Sequence, residues 1–330
     1  MTFAGARVLV TGATGFLGGA LARALSAEGA DVHALARPGS DRTALDGVAV
    51  AWREGDVTDL SSVRRAIAGV DWVVHAAGRL GRAGEADAIY RTVNVDGARH
   101  VLEAALAASP RPRVLHLSSP GVLGPTRPDG AAEDAPLAPG NPYERSKAAA
   151  EAIALALAGR GLPVVVARPG FVYGPGDRHV LGLFRAVQSG RFFHVDGGRR
   201  LCQPTFVADA VAGMLACMAA GRPGRVYHVV GPRAVTFRAL GETLATALGV
   251  PTPRLDVPRW AAMAGATALE VAARALGRTA PLGRTGVAFF SEDRVFSGRR
   301  AREELGFAPT HDLAEGAAET VAWYRARGWL

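Results

Sequence analysis

The chain has 330 residues, a formal net charge of +8 and 49% hydrophobic content, enough to fill the core of one large or two intermediate domains. Its pI is near 10.4, yet the arginines are scattered and no aromatic-interleaved basic segment is present to stack bases, which argues against nucleic acid as a partner. Two cysteines, Cys202 and Cys217, are too few for a disulfide framework or a four-cysteine metal site. The eight histidines lack HxxxH or HExxH spacing, and the most apolar stretch, Trp260 to Leu276, is interrupted by Glu270 and Arg274. With no signal peptide ahead of the first strand pattern, these features predict a cytoplasmic protein with no metal and no membrane span.

Arg7 to Thr11 (RVLVT) reads as a short buried strand, and Gly12-Ala13-Thr14-Gly15-Phe16-Leu17-Gly18 leads from it into the helical pattern LGGALARALSAEG. Glycines in a strand-to-helix turn let backbone amides approach a pyrophosphate, which then rests on the positive end of the helix. The spacing is GxxGxxG rather than the commoner GxGxxG, so the strand and helix around it carry much of the inference. The next strand, Asp31 to Ala36, ends at Arg37. The acidic residue that would hold a ribose 2′-hydroxyl is replaced by Ala36, and Arg37 beside it suits a 2′-phosphate, so NADP(H) is expected over NAD(H), which stays possible. Ser40 and Arg42 stand close enough in sequence to assist.

Strand Val48 to Trp52 with Gly55-Asp56-Val57, helix Asp59 to Ala68, strand Asp71 to His75 with Ala76-Ala77-Gly78, helices through Glu85 to Ala108, and strand Arg113 to Ser118 follow. This alternation predicts an α/β doubly wound parallel sheet whose ligands lie beyond the carboxyl ends of the strands. Asp56, the Ala76-Ala77-Gly78 turn and the Ser118-Ser119 pair all fall at such ends, and His75 stands there as a wall residue. Helix Pro142 to Leu157 and strand Pro163 to Ala167 complete the regular part. Residues 1–172, with about 205–232 returning through strand Val226 to Val230, are assigned to the nucleotide-binding domain. About 173–204 and 233–330, with a helix from Val180 to Ser189 and helices at Phe237 to Leu248, Trp260 to Leu276 and Leu313 to Arg327, form a smaller substrate lobe.

The chemistry concentrates in Asn141-Pro142-Tyr143-Glu144-Arg145-Ser146-Lys147. Lys147 is the only lysine among 38 basic residues. A chain this strongly arginine-rich has reason to keep a lysine where a compact ammonium with an adjustable pKa is needed. Asn141 suits an N-cap, Pro142 the first helical position and Glu144 a capping box, so Tyr143 and Lys147 share one helix face. A cation held against a phenol favours the phenolate, which is general acid/base equipment. The plainer alternative is a surface tyrosine beside a solvated lysine.

TGATGFLG at 11–18, GDVTD at 55–59, HAAG at 75–78, NV at 94–95, LSS at 117–119, YERSK at 143–147 and RPGFVYGPGD at 168–177 together resemble the extended short-chain dehydrogenase/reductases. The similarity is greatest to the branch holding 3β-hydroxysteroid dehydrogenases, dihydroflavonol-reductase-like ketone reductases and NAD-dependent epimerase/dehydratase proteins. The resemblance implies Tyr143 as general acid/base and Lys147 as the group that holds the nicotinamide ribose and lowers the Tyr143 pKa. It implies Ser119 as the hydroxyl on the substrate oxygen, since that serine lies five residues before Gly124. Asn94 would buttress the site, Ser118 would face the cofactor or the sheet, Asp56 and Val57 would flank adenine, and Pro169 with Val172 would line the nicotinamide. Sugar-nucleotide dehydratases of this family carry an acidic pair where Pro120 and Gly121 stand here, and epimerases carry an arginine where Cys202 stands, with Arg199 or Arg200 as substitutes. The expected activity is therefore ketone/secondary-alcohol interconversion on a small or medium, partly apolar molecule, by an enzyme that family habit makes a homodimer through the Glu85 to Ala108 and Pro142 to Leu157 helices. The alternatives are an epimerase that retains its NAD(P) and a non-catalytic NADP sensor.

Overall fold

The computed structural model describes residues 3–81, 85–278, 280 and 282–330. Strands β1 (Arg7–Thr11), β2 (Asp31–Ala36), β3 (Ala51–Glu54), β4 (Trp72–His75), β5 (Arg113–Leu117) and β6 (Val164–Pro169) join the edge strand Val226–Val229 in one parallel seven-stranded sheet. From one edge, Val226–Val229 is followed by β6, β5, β4, β1, β2 and β3, so the strand order reverses between β1 and β4 and opens a crevice beyond their carboxyl ends. The doubly wound sheet is thus the one the alternation predicts.

Both faces are covered, which is why the strands are near-continuous apolar runs rather than alternating ones. Val8, Val10, Leu115 and Val165 form one core layer with α1 (Phe16–Ala27) and the helix Val207–Ala220. Leu9, Val73, Val114 and Val166 form the other with α2 (Leu60–Ile67), α4 (Gly97–Ala107) and α5 (Pro142–Ala158). Asp59 caps α2 by accepting from the Ser61 and Ser62 amides. The short α3 (Asp87–Tyr90) runs into α4 through a π-helical stretch, Arg91–Asp96, that turns Asn94 inward, where it is 2% exposed.

The third strand begins three residues later than the apolar alternation suggests. Val48 and Val50 mimic a strand but pack onto the core from a loop, whereas pairing with β2 starts only at Ala51 opposite His33. Helices at Val207–Ala220, Arg284–Phe290 and Arg299–Leu305 were not legible as separate elements in the sequence. The predicted helices of the second lobe lie at Phe237–Leu248, Arg259–Ala275 and Leu313–Ala326. Phe184, Phe206, Phe237 and Tyr324 form the lobe's own core, and the short parallel pair Phe171–Tyr173 and Pro204–Phe206 carries the chain from the sheet into it.

Candidate active site

The glycine loop is shaped by close approach. Gly12 has φ +73°, and a Cβ there would lie 2.6 Å from the Ala77 amide nitrogen; one on Gly18 would lie 2.3 Å from the Gly12 carbonyl oxygen. Only bare backbone fits. Gly15 caps α1 with no side-chain hydrogen bond, so the first-turn amides have no capping side chain of their own, which is the arrangement that holds a pyrophosphate. Thr14 is half-buried beside it, and Phe16 and Leu17 lend their amides to the first turn while their side chains pack on the lobe core. These residues fit a dinucleotide.

The Ala76-Ala77-Gly78 turn closes the crevice. Gly12 abuts Ala76 and Ala77, and a Cβ on Gly78 would stand 3.4 Å from Lys147 Nζ and 3.3 Å from Asn94 Oδ1. Asn94 stitches this turn to α5: its Oδ1 accepts from the Arg79 amide at 2.6 Å, and its amide nitrogen donates to the Arg79 carbonyl at 3.0 Å and to Ser146 Oγ at 2.8 Å. The glycine loop, the turn, Asn94 and Lys147 are therefore one contiguous wall. Farther along, Arg37 is exposed with its guanidinium 4.0 Å from Asp56 Oδ2, while Arg42 lies over the Trp52 ring at 4.6 Å. The Val57 side chain is buried against Gly97, and Asp56 beside it is part-exposed. Pro169 is buried and Val172 half-buried where the chain leaves the sheet.

Ser119 hydrogen-bonds the Tyr143 hydroxyl and also accepts from the Gly121 amide at 3.2 Å. The neighbouring Ser118 Oγ is buried without a hydrogen-bond partner among the described residues, in keeping with two serines that face different ways. Asn141 caps α5 as predicted, accepting from the Glu144 amide at 2.9 Å. The capping box does not close in its regular form: Glu144 Oε2 accepts from the Gly140 amide at 2.7 Å, because Oε1 is drawn to Arg294 Nη1 at 2.8 Å.

The electrostatics correct one expectation. Burial pushes the Tyr143 phenol up to about 12, opposed by the hydrogen bond from Ser119 and reinforced by the Glu144 carboxylate. Lys147 does not lower it: the ammonium is turned to the Leu117 carbonyl, to which it donates at 2.7 Å, and its own burial brings it down to about 8. His75, with Nδ1 2.8 Å from Thr11 Oγ1, is held neutral by burial and by Lys147, at about 3. Its ring stacks on His116 at 5.3 Å, and neither nitrogen of His116 has a hydrogen-bond partner among the described residues. Sequence reasoning missed His116, and also Arg294, which reaches the site from a loop 150 residues away from Glu144. No group of His, Cys, Asp and Glu able to hold a metal ion occurs among the described residues.

Comparison with known proteins agrees with this geometry. The chain is 36% identical, over 98% of its length and 99% of the relative's, to sterol demethylase protein B of Methylococcus capsulatus. It is 33% identical, over 92% of each chain, to 4-hydroxy-2-methyl-3-oxo-4-farnesyl-3,4-dihydroquinoline-1-oxide ketoreductase of Stigmatella aurantiaca. The crystal structure of DesIV, a dTDP-glucose 4,6-dehydratase from Streptomyces venezuelae with NAD bound, superposes with a TM-score of 0.80 at 28% identity, covering 98% of both chains. Residues 8–230 match the model of the NAD dependent epimerase/dehydratase family, and the chain belongs to that family, among the extended short-chain dehydrogenase/reductases.

Proposed function

We propose that the protein is an NADP(H)-preferring oxidoreductase that reduces a ketone on a small or medium, partly apolar molecule to a secondary alcohol. The observation that carries this reading is the meeting of the Ser119 and Tyr143 hydroxyls beside a wall made of the glycine loop, Gly78 and Lys147. A bound nicotinamide supplies the hydride. Ser119 and Tyr143 orient the carbonyl oxygen between two hydroxyls, and Tyr143 gives its proton to that oxygen as negative charge develops. A phenol near 12 is fully protonated at neutral pH and remains acidic enough to protonate an alkoxide. Lys147 and Asn94 are assigned to the ribose side and to holding the Ala76-Ala77-Gly78 turn.

Support for an apolar substrate comes from Phe171 and Phe289, whose rings meet at 5.3 Å where the chain leaves the sheet, and from relatives named for a sterol and a farnesyl quinoline. Epimerase chemistry on a nucleotide sugar is less well supported. Cys202 is fully buried, and Arg200 is held by Asp293 at 3.0 Å, which leaves only the exposed Arg199 of the residues suggested for a diphosphate. The dehydratase positions are Pro120 and Gly121, with no acidic pair. Preference for NADP(H) rests on Arg37 and the missing acid at Ala36. A homodimer through α4 and α5 belongs to the same proposal.

The test is titration with NADPH and NADH, followed by turnover on a panel of steroid, flavonoid, β-keto acid and nucleotide-sugar substrates. NADPH binding more tightly, with net oxidation of NADPH as an apolar ketone is reduced, supports the reading. Tighter NADH binding overturns the role of Arg37, and turnover of nucleotide sugars without net redox change overturns the reaction.

A further inference from the structure

The helix Arg259–Ala275 carries an apolar face where a helix of a soluble enzyme should be polar. Its inward residues, Ala262 and Ala266, are buried with Val195 and Val287. Trp260, Ala264, Ala268, Val271 and Ala275, spaced at four, four, three and four residues, share the opposite side, and all five are exposed. Trp260 is 76% exposed, Val271 63%, and Leu276 just beyond the helix 70%. No charged residue lies in that stripe. The only acid of the helix, Glu270, is turned aside to Arg284, which it holds through the backbone amide at 2.8 Å and the guanidinium at 3.0 Å. Of the eight exposed large hydrophobic residues among those described, five lie between Leu255 and Leu276.

The acids near this face, Asp256 and Glu270, are paired with Arg238 and Arg284, and the charges left without an ion pair at its ends among the described residues are arginines. Arg254 precedes the helix, Arg274 flanks the stripe in the last turn and Arg278 follows it; none of the three forms an ion pair among the described residues, whereas most other exposed arginine heads nearby do, Arg259 with Glu292 and Arg238 with Asp256. A tryptophan at one end, an uncharged apolar stripe and unpaired arginines at both ends match a helix that lies in the plane of a lipid surface. We infer that the outer face of Arg259–Ala275 docks the protein on a membrane surface bearing anionic headgroups, its stripe seated at the acyl boundary and Arg254, Arg274 and Arg278 on the headgroup charges.

The docked face is also wired to the catalytic helix. Arg259 Nη2 meets Glu292 Oε1 at 3.4 Å, Glu292 Oε2 meets Arg294 Nη2 at 3.2 Å, and Arg294 Nη1 meets Glu144 Oε1, beside Tyr143, at 2.8 Å. Phe289, on the neighbouring helix Arg284–Phe290, stands 5.6 Å from the Arg294 guanidinium and touches Phe171. An apolar molecule that enters from a lipid layer therefore finds aromatic surface between the docked helix and the catalytic residues. The docking itself does not depend on the ketone reading.

The experiment is sedimentation of the full chain with phosphatidylcholine vesicles, with and without phosphatidylglycerol. Binding to the mixed vesicles, weakened by salt and absent on pure phosphatidylcholine, is expected. Arg274→Gln and Arg278→Gln each lower the apparent affinity about fivefold, and Trp260→Ala lowers it about tenfold or more. All three side chains are exposed, so circular dichroism and NADPH binding are expected to stay as in the parent. Failure to bind mixed vesicles, or parent-like binding by Trp260→Ala, overturns the inference. So does a lipid-free dimer that Val271→Glu dissociates, since the face would then belong to a second copy of the chain.

Discussion

Two buried polar clusters lie side by side on the same face of the sheet and spend their polar groups differently. Toward the crevice are Thr11, His75, His116 and Lys147, where one imidazole has no hydrogen-bond partner among the described residues and an ammonium is brought down to about 8. Toward the Val226–Val229 edge, Arg168 is fully buried with nearly every group satisfied. Its guanidinium donates to Glu151 Oε2 at 2.9 Å and Oε1 at 2.5 Å, to the Glu133 carbonyl at 3.1 Å and to His228 Nε2 at 3.2 Å. His228 in turn donates its amide to Glu133 Oε1 at 3.0 Å. Both clusters are buried, and Arg168 and His228 pair two residues further along the strands than Thr11, His75 and His116, so burial alone does not distinguish them. Incomplete pairing sets apart the cluster that we propose faces the cofactor; nearly complete pairing sets apart the one that holds the edge strand to β6.

The largest separation should come from Tyr143→Phe. Turnover is expected to fall on the order of 10²- to 10⁴-fold with little change in melting temperature, because the hydroxyl's partner Ser119 keeps its bond to Gly121. Arg168→Met should do the converse, lowering stability by roughly 3–5 kcal/mol in chemical denaturation by stranding Glu151, while any folded protein keeps its preference among cofactors. A catalytic defect without a loss of stability would merge the two clusters.

Lys147→Met is expected to lose most activity while being at least as stable as the parent at pH 7. The sign follows from burial: with a folded pKa near 8 against an ordinary 10.5, the cost of burying the charge is fully present below about 8 and disappears as pH rises toward 10.5. The stability gain of the variant should therefore shrink across that window, and parental turnover that depends on the ammonium should fall through about pH 8. Thermal melts and rate profiles from pH 6 to about 10.5 measure both.

A smaller effect is expected from Arg37→Ala, a drop of roughly tenfold in NADPH affinity from loss of one charge-assisted contact, with NADH affinity unchanged by fluorescence titration. Smallest is His116→Leu. Removing a buried ring with two unpartnered nitrogens should change stability by less than about 1 kcal/mol in either direction, whereas His228→Leu, which takes the imidazole from the Arg168 guanidinium and the Ser297 carbonyl, should cost more.

Much of this was legible in the chain. The lone lysine, the tyrosine four residues before it and the Asn141-Pro142 start place two reactive groups on one helix face by periodicity alone, and the strand-end residues follow from the α/β alternation. Boundaries were read less well where a local pattern had a second use. Val48 and Val50 show strand alternation yet serve the core from a loop, and Glu144 suits a capping box yet answers to Arg294.

The doubly wound sheet, the glycine turn and the identities of the hydroxyls and the ammonium are written locally in the chain, because these depend on short-range spacing and on a side chain's own chemistry. The acidity of those groups is set by the assembled fold. The rise of Tyr143 to about 12 and the turning of Lys147 to the Leu117 carbonyl depend on what strand and loop bury around them, and Arg294 arrives from 150 residues away. Desolvation is a property of the assembled fold, and no local pattern in the chain encodes it.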